Sequence, residues 1–225
     1  MKSILFLICL PILLFSCKKD NTSISMHDNY FPIAKGQFVE YNVTAIHHGN
    51  PDGKHETLHY ILKTLIGDSV IDNSGRIAHK FLRFKYDSLQ TEFKIKDLWT
   101  CILDQNRIEL IEENERLVKL VLSPSVEKEW NINAFNSQAE LLASYQNIHK
   151  PMTINGLNFD STITVLEEKT DPPSLIEYNL KFEVYAKNVG LIYKYYKSLE
   201  IDNFDTLHPI QGDEYYYSVR KYGKE

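Results

Sequence analysis

The sequence predicts an all-β protein: an antiparallel meander of about ten strands that curls into a curved sheet, half-barrel, barrel or sandwich. Apolar and polar residues alternate with a period of two along most of the chain, the pattern of strands with one side in a core and one in water. Clusters of Asn, Asp, Gly and Pro interrupt that alternation at spacings suited to hairpins.

In chain order, the first strand carries Val39, Tyr41, Val43 and Ala45 on one face. The next segment is ambiguous, because Leu58, Ile61, Leu62, Leu65 and Ile66 fit a helical stripe while Leu58, Tyr60, Leu62 and Ile66 fit a strand. Then come Leu82, Phe84 and Tyr86, with Arg83 and Lys85 assigned to water, followed by Phe93, Ile95, Trp99, Cys101 and Leu103. Shorter alternations follow at Val118, Leu120, Leu122 and at Ile163, Val165. The cleanest strand sets Ile176, Tyr178, Leu180, Phe182, Val184 and Ala186 against Glu177, Asn179, Lys181 and Glu183. Leu191, Tyr193, Tyr195 and Tyr215, Tyr217, Val219 complete the series. Turn chemistry stands at Asn50-Pro51-Asp52-Gly53, Asp72-Asn73-Ser74-Gly75, Asp104-Gln105-Asn106, Glu113-Asn114, Asn155-Gly156 and Asp171-Pro172-Pro173. Over Ser137 to Tyr145 helix and strand remain open alternatives.

The amino terminus has the anatomy of an export signal. Lys2 is followed by an apolar run from Ile4 to Phe15, broken only by Pro11, and the small Ser16 precedes Cys17. That run is too short for a transmembrane helix, which needs roughly 20 apolar residues. Leu14-Phe15-Ser16-Cys17 resembles the lipobox of bacterial lipoproteins, which implies cleavage after residue 16 and acylation, palmitate included, at Cys17. The expected organisation is a signal peptide over 1–16, a tether over 17–28 and a single β-rich domain over 29–225. Lys18, rather than aspartate, after the cysteine favours the outer membrane under the sorting rules of that family. Lys19-Asp20 resembles a Bacteroidota surface-export signal, and the periplasmic face and the cell surface both stay open.

Removing residues 1–16 takes one lysine, leaving 24 basic against 30 acidic residues and a formal charge of −6. Nucleic acid is an unsuitable partner, since phosphate binding wants concentrated positive charge. Cys9 leaves with the signal, Cys17 is consumed by lipid, and Cys101 shares an inward face with Trp99 and Leu103 as a small buried hydrophobe. Neither a disulfide framework nor a cysteine metal cluster is expected.

His55-Glu56-Thr57-Leu58-His59 matches the His-Glu-x-x-His pattern of zinc peptidases. On a helix, residues four apart have Cβ atoms about 5–6 Å apart; on a strand they are separated by about 13 Å. Two nitrogens at roughly 2.0–2.1 Å from one zinc are impossible in the second case. The preceding Pro-Asp-Gly turn and the Thr, Tyr and Ile content favour the strand, so His55 and His59 are read as decoys and no cofactor is expected. The other histidines show no ligand spacing beyond the adjacent His47-His48. Glu112-Glu113 and Glu167-Glu168 read as solvated strand edges.

Tyr193, Tyr195, Tyr215 and Tyr217 form a candidate aromatic platform for a sugar or a partner, set against ordinary half-buried strand tyrosines. Asp68-Ser69-Val70, Asp87-Ser88-Leu89, Asp160-Ser161-Thr162 and Asp205-Thr206-Leu207 resemble the Bacteroidota O-glycosylation sequon, making Ser69, Ser88, Ser161 and Thr206 candidate sites that require surface positions.

Tyr30-Phe31-Pro32-Ile33-Ala34-Lys35-Gly36-Gln37-Phe38 with Tyr41, and Tyr185-Ala186-Lys187-Asn188-Val189-Gly190-Leu191-Ile192-Tyr193-Lys194, resemble two segments of uncharacterised Bacteroidota outer-membrane lipoproteins. Phe38 departs from the usual tryptophan, and Glu127-Lys128-Glu129-Trp130 from Gly-x-x-Trp. The resemblance implies a β-rich fold and an envelope location and brings no catalytic residue. The leading expectation is a non-enzymatic envelope lipoprotein with a binding or assembly role, its partners the bilayer through acylated Cys17 and an envelope protein or glycan. A carrier of an apolar ligand or a glycan-binding module is the alternative, with a zinc hydrolase behind both.

Overall fold

The computed structural model describes residues 29–49, 54–86 and 92–225. The expectations for the signal peptide, Cys17, the tether, His27, Ser88 and the turn at 50–53 lie outside them. Among the described residues there are twelve strands and no helix: β1 (Gln37–His48), β2 (Glu56–Ile71), β3 (Ile77–Tyr86), β4 (Lys94–Asp104), β5 (Arg107–Glu112), β6 (Glu115–Val121), β7 (Glu129–Asn131), β8 (Leu142–Ile154), β9 (Leu157–Lys169), β10 (Glu177–Ala186), β11 (Gly190–Glu200) and β12 (Gln211–Lys224). All-β is therefore correct, with two strands more than about ten. Ser137 to Tyr145 is loop running into β8, held by Asn131, Asn133 and Asn136 side chains that bond to nearby backbone.

All pairings are antiparallel, in one sheet of order β6-β5-β4-β3-β2-β1-β12-β11-β10-β9-β8-β7. A sheet this long curls, and here its two edges meet. The Val118 amide donates to the Ile132 carbonyl at 2.9 Å, the Trp130 indole N–H donates to the Val118 carbonyl at 2.9 Å, and the Val121 amide donates to the Tyr145 hydroxyl at 3.0 Å. The result is a nearly closed barrel. Two-residue turns with both residues at positive φ join β5 to β6 (Glu113, Asn114) and β8 to β9 (Asn155, Gly156), the geometry whose twist matches paired strands.

The amino-terminal segment from Tyr30 to Ala34 plugs one end. Phe31 stacks on Phe81 and meets Tyr185, and Phe31 and Ile33 pack on Ile66, Cys101 and Leu110. Gly36 locks the plug to the carboxyl end: its amide donates to Ile66 and its carbonyl accepts from Glu225. The strand ends carrying His47, His48 and Glu56 form the opposite mouth.

Several inward faces are the reverse of what alternation predicts. Arg83 and Lys85, expected in water, line the lumen, as does Glu183, which is 2% exposed. The outer face of β10 is apolar because the β8–β9 hairpin folds across it. Met152, Ile154, Leu157 and Phe159 join Val184, Ala186 and Tyr193 in one cluster. The hairpin tip is pinned to β12 by the Asn155 amide donating to the Val219 carbonyl at 2.8 Å and by the Phe159–Tyr222 ring contact.

β-Bulges cause further departures, since one extra residue re-aims the side chains around it. The register slips across Lys96 in β4, across Lys119 in β6 and across Glu167 in β9. Lys96 and Lys119 thereby line the lumen, and Glu167 meets Lys119. Ile95, expected inward with Trp99, is 65% exposed because of the same slip. Glu112 and Glu113 also line the lumen, so neither glutamate pair is a simple solvated edge.

Candidate functional site

The lumen is divided by the plug. Above Phe31, toward the mouth, lies a chamber of about 640 Å³; below it, against the plug itself, lies a second of about 360 Å³. Both sizes fall in or near the range of small-molecule sites.

Most charged side chains lining the upper chamber sit in ion pairs. Lys119 sits 2.8 Å from Glu167 and 2.9 Å from Glu183, and Lys194 approaches Glu183 at 3.1 Å. The Tyr185 hydroxyl donates to Glu183. Burial pushes the Glu183 carboxyl up, but the Lys119 and Lys194 ammoniums and that hydroxyl outweigh it and hold the group down at about 2. Burial works against the Lys119 and Lys194 ammoniums as well, yet the facing carboxylates raise both above the ordinary lysine range. Arg83 donates to Asp97 at 2.6 Å and to the Tyr217 hydroxyl at 3.3 Å, and its guanidinium lies 3.9 Å from the centre of the Trp99 ring. Lys96 shares Asp97 at 2.9 Å.

Aromatic surfaces complete the wall: Tyr60, Trp99, Tyr196, Tyr215 and Tyr217. Lys85 sits over the Tyr60 ring at 4.7 Å, and Tyr196 meets Tyr215 with ring centres 5.5 Å apart. The chamber therefore offers flat apolar faces beside fixed polar groups, with no unbalanced block of one charge.

The candidate tyrosines do not share a face. Tyr193 pairs across with Ser218 and Tyr195 with Tyr216, whereas Tyr217 opposes Lys194 and Tyr215 opposes Tyr196. Directly opposed residues project to the same side, so Tyr215 and Tyr217 enter the chamber. Tyr193 and Tyr195 stack on Phe182 outside it. This register corrects a platform of all four to one inner pair, Tyr215 and Tyr217, and one outer pair, Tyr193 and Tyr195. Sequence does not single out Tyr60 and Trp99 as binding residues; their alternation with Leu58 and Leu62 and with Cys101 is the available signal.

His59 lies within β2 and His55 one residue ahead of it, in extended backbone rather than helix. His59 bonds to the Thr44 hydroxyl at 3.1 Å, while His55 meets His48 with their Nδ1 atoms 2.9 Å apart. His48 in turn bonds Glu214 at 2.9 Å, and His47 bonds Asp213 at 2.6 Å. Among the described residues no three His, Cys, Asp or Glu side chains are grouped to hold a metal ion. Of the sequon residues, Ser69 is exposed, Thr206 is half-buried in the β11–β12 loop, and Ser161 is half-buried and bonded to the Tyr30 hydroxyl at 2.7 Å. Cys101 is fully buried, and burial pushes its thiol up to about 12.

Fold and site together define an antiparallel β-barrel with a plugged, two-chambered lumen. Neither a family model nor a curated protein matches the chain. A solved structure from Bacteroides fragilis NCTC 9343, described as an exported protein with a YmcC-like fold, is similar at a TM-score of 0.45 and 12% identity, over 86% of this chain and 98% of that one.

Proposed function

We propose that this protein is a non-enzymatic binding module of the bacterial envelope, held at the outer membrane by an acylated Cys17, whose upper chamber receives a short uncharged glycan. The single observation that carries the ligand class is the composition of that chamber: aromatic faces beside ion pairs that already neutralise one another. A charged ligand would have to break such pairs or stay uncompensated in a partly dry site, which is costly. The C–H face of a pyranose instead suits a tyrosine or tryptophan ring, and its hydroxyls can use remaining hydrogen-bonding capacity on Arg83, Glu112 and Tyr217. A purely apolar ligand fits this chamber poorly, since it would desolvate those groups without replacing their hydrogen bonds.

Lipid attachment is supported by the Leu14-Phe15-Ser16-Cys17 sequence, and its direct check is mass analysis of the amino-terminal peptide from native material, expected to carry acyl chains on Cys17. Calorimetric titration of the full-length protein with neutral oligosaccharides tests the ligand class. Saturable binding is expected, weakened about tenfold or more by Trp99→Ala or Tyr215→Ala and unchanged by Tyr195→Ala on the outer face. Absence of binding across neutral glycans, or equal losses for Tyr195→Ala and Tyr215→Ala, would contradict it.

A further inference from the structure

We infer that the lower chamber is a second, independent site that takes the chain of a fatty acid, with the carboxylate at His79. One wall is the plug itself, with Phe31 and Ile33; the other is made by Leu103, Ile108, Leu120 and Leu122. Cavities larger than a water molecule are few in close-packed protein interiors, and one lined by such side chains stays dry and takes apolar guests. At about 360 Å³ it is well beyond a packing defect.

A second observation fixes the polar end of the guest. His79, in β3 opposite Cys101, lines this chamber, and its Nδ1 is buried without a hydrogen-bond partner. Among the described residues no other side-chain nitrogen or oxygen is stranded in this way. Buried polar atoms in native proteins are nearly always satisfied, so an orphan on a residue that lines a cavity asks for a partner atom the chain does not supply. Of the other polar side chains lining this chamber, the Tyr145 hydroxyl is already engaged by the amide and carbonyl of Val121, and the Tyr30 hydroxyl by His149 and Ser161. A slim apolar body with one acceptor at its end matches this arrangement: Nδ1–H of His79 donates to a carboxylate oxygen while the chain lies against Phe31 and Leu120. A glycan does not match it, because the lining is mostly apolar and most of its hydroxyls would be desolvated against carbon. The site thus rests on its own residues and stands or falls separately from the glycan reading.

The test uses full-length protein from its native host, delipidated in mild detergent and exposed to hexadecanoic acid carrying a photoreactive diazirine on its chain. Crosslinks mapped by peptide mass spectrometry are expected within residues 30–34 and 120–122 and should be competed by unlabelled hexadecanoic acid. His79→Phe, which removes the donor and fills space, should cut labelling at least fivefold; His79→Gln, which keeps an N–H, should retain most of it; Tyr215→Ala in the upper chamber should leave it unchanged. If His79→Phe fails to fold, the crosslink map and the His79→Gln protein decide. Labelling that resists competition, that falls on Tyr60 or Tyr215, or that is as strong in folded His79→Phe as in the parent would overturn the assignment.

Discussion

Glu183 shows what a single side chain in this lumen does. Its carboxylate lies between two ammoniums and a phenol, and its acidity in the folded state, at about 2, is below the ordinary 4.5. A folded-state value below the unfolded one means that the contribution to stability is present above about 4.5 and is lost as pH falls from there through about 2. Lys119 and Lys194 run the other way, their contribution present below the ordinary 10.5 and lost only in strong alkali. Glu183→Gln removes the shared acceptor of both ammoniums. At pH 7 it is expected to cost roughly 3 kcal/mol, the lower end for breaking a buried pair, because Lys119 keeps Glu167. Melting curves should show the gap between parent and variant shrinking below pH 4.5, and a gap independent of pH would count against this placement. Cys101 gives a second check at this scale. With its thiol pushed up to about 12 by burial, alkylation at pH 8, read at the Cys101 peptide, should be negligible in native protein and complete in denaturant.

At the scale of elements, turns and bulges set what each strand presents. Gly36 stands at φ +85°, and a Cβ there would lie 2.3 Å from the Glu225 carbonyl oxygen. Gly36→Ala must therefore shift the β1–β12 junction and loosen the plug. The expected cost is about 1–3 kcal/mol, with faster amide exchange at Glu225, whose N–H bonds the Gly36 carbonyl; unchanged exchange there would contradict the account. The Asn- and Gly-bearing turns were legible in sequence because their chemistry is local: Asn114, Asn155 and Gly156 occupy the left-handed backbone that such residues tolerate. The bulges were not legible, because an extra residue is defined only against its partner strand. Reading period two straight through β4 puts Ile95 inside, whereas the slip at Lys96 turns it out. β5 also escaped notice as a strand, since it is six residues long and its outer Glu109, fully buried, is held by Arg76, Arg107 and Arg116 and roofed by Phe135 over two of those arginines.

At the scale of the whole molecule, sequence alternation identified strands but could not say which face was inside. In an open sheet the apolar side is the core. In a wide barrel with a hairpin folded over its exterior both sides are partly buried, and β10 places Val184 under that hairpin and Glu183 in the lumen. The polar interior suits the mouth end to the proposed glycan, while the plugged end is lined mostly by apolar side chains. Closure at the β6–β7 seam makes the lumen a lumen, and Tyr145→Phe, which removes the hydroxyl between the Val121 amide and carbonyl, should cost about 1–2 kcal/mol and raise exchange at Val121.

A double-mutant cycle between Lys119 and Glu183, measured by denaturant unfolding of the parent, Lys119→Met, Glu183→Gln and the combined variant, addresses the inward charged face most directly. With both side chains inside the barrel at 2.9 Å, the coupling energy should reach about 1.5 kcal/mol or more. A coupling near zero, as for solvent-exposed ion pairs that contribute about 0–1 kcal/mol, would place Glu183 in water and contradict the account.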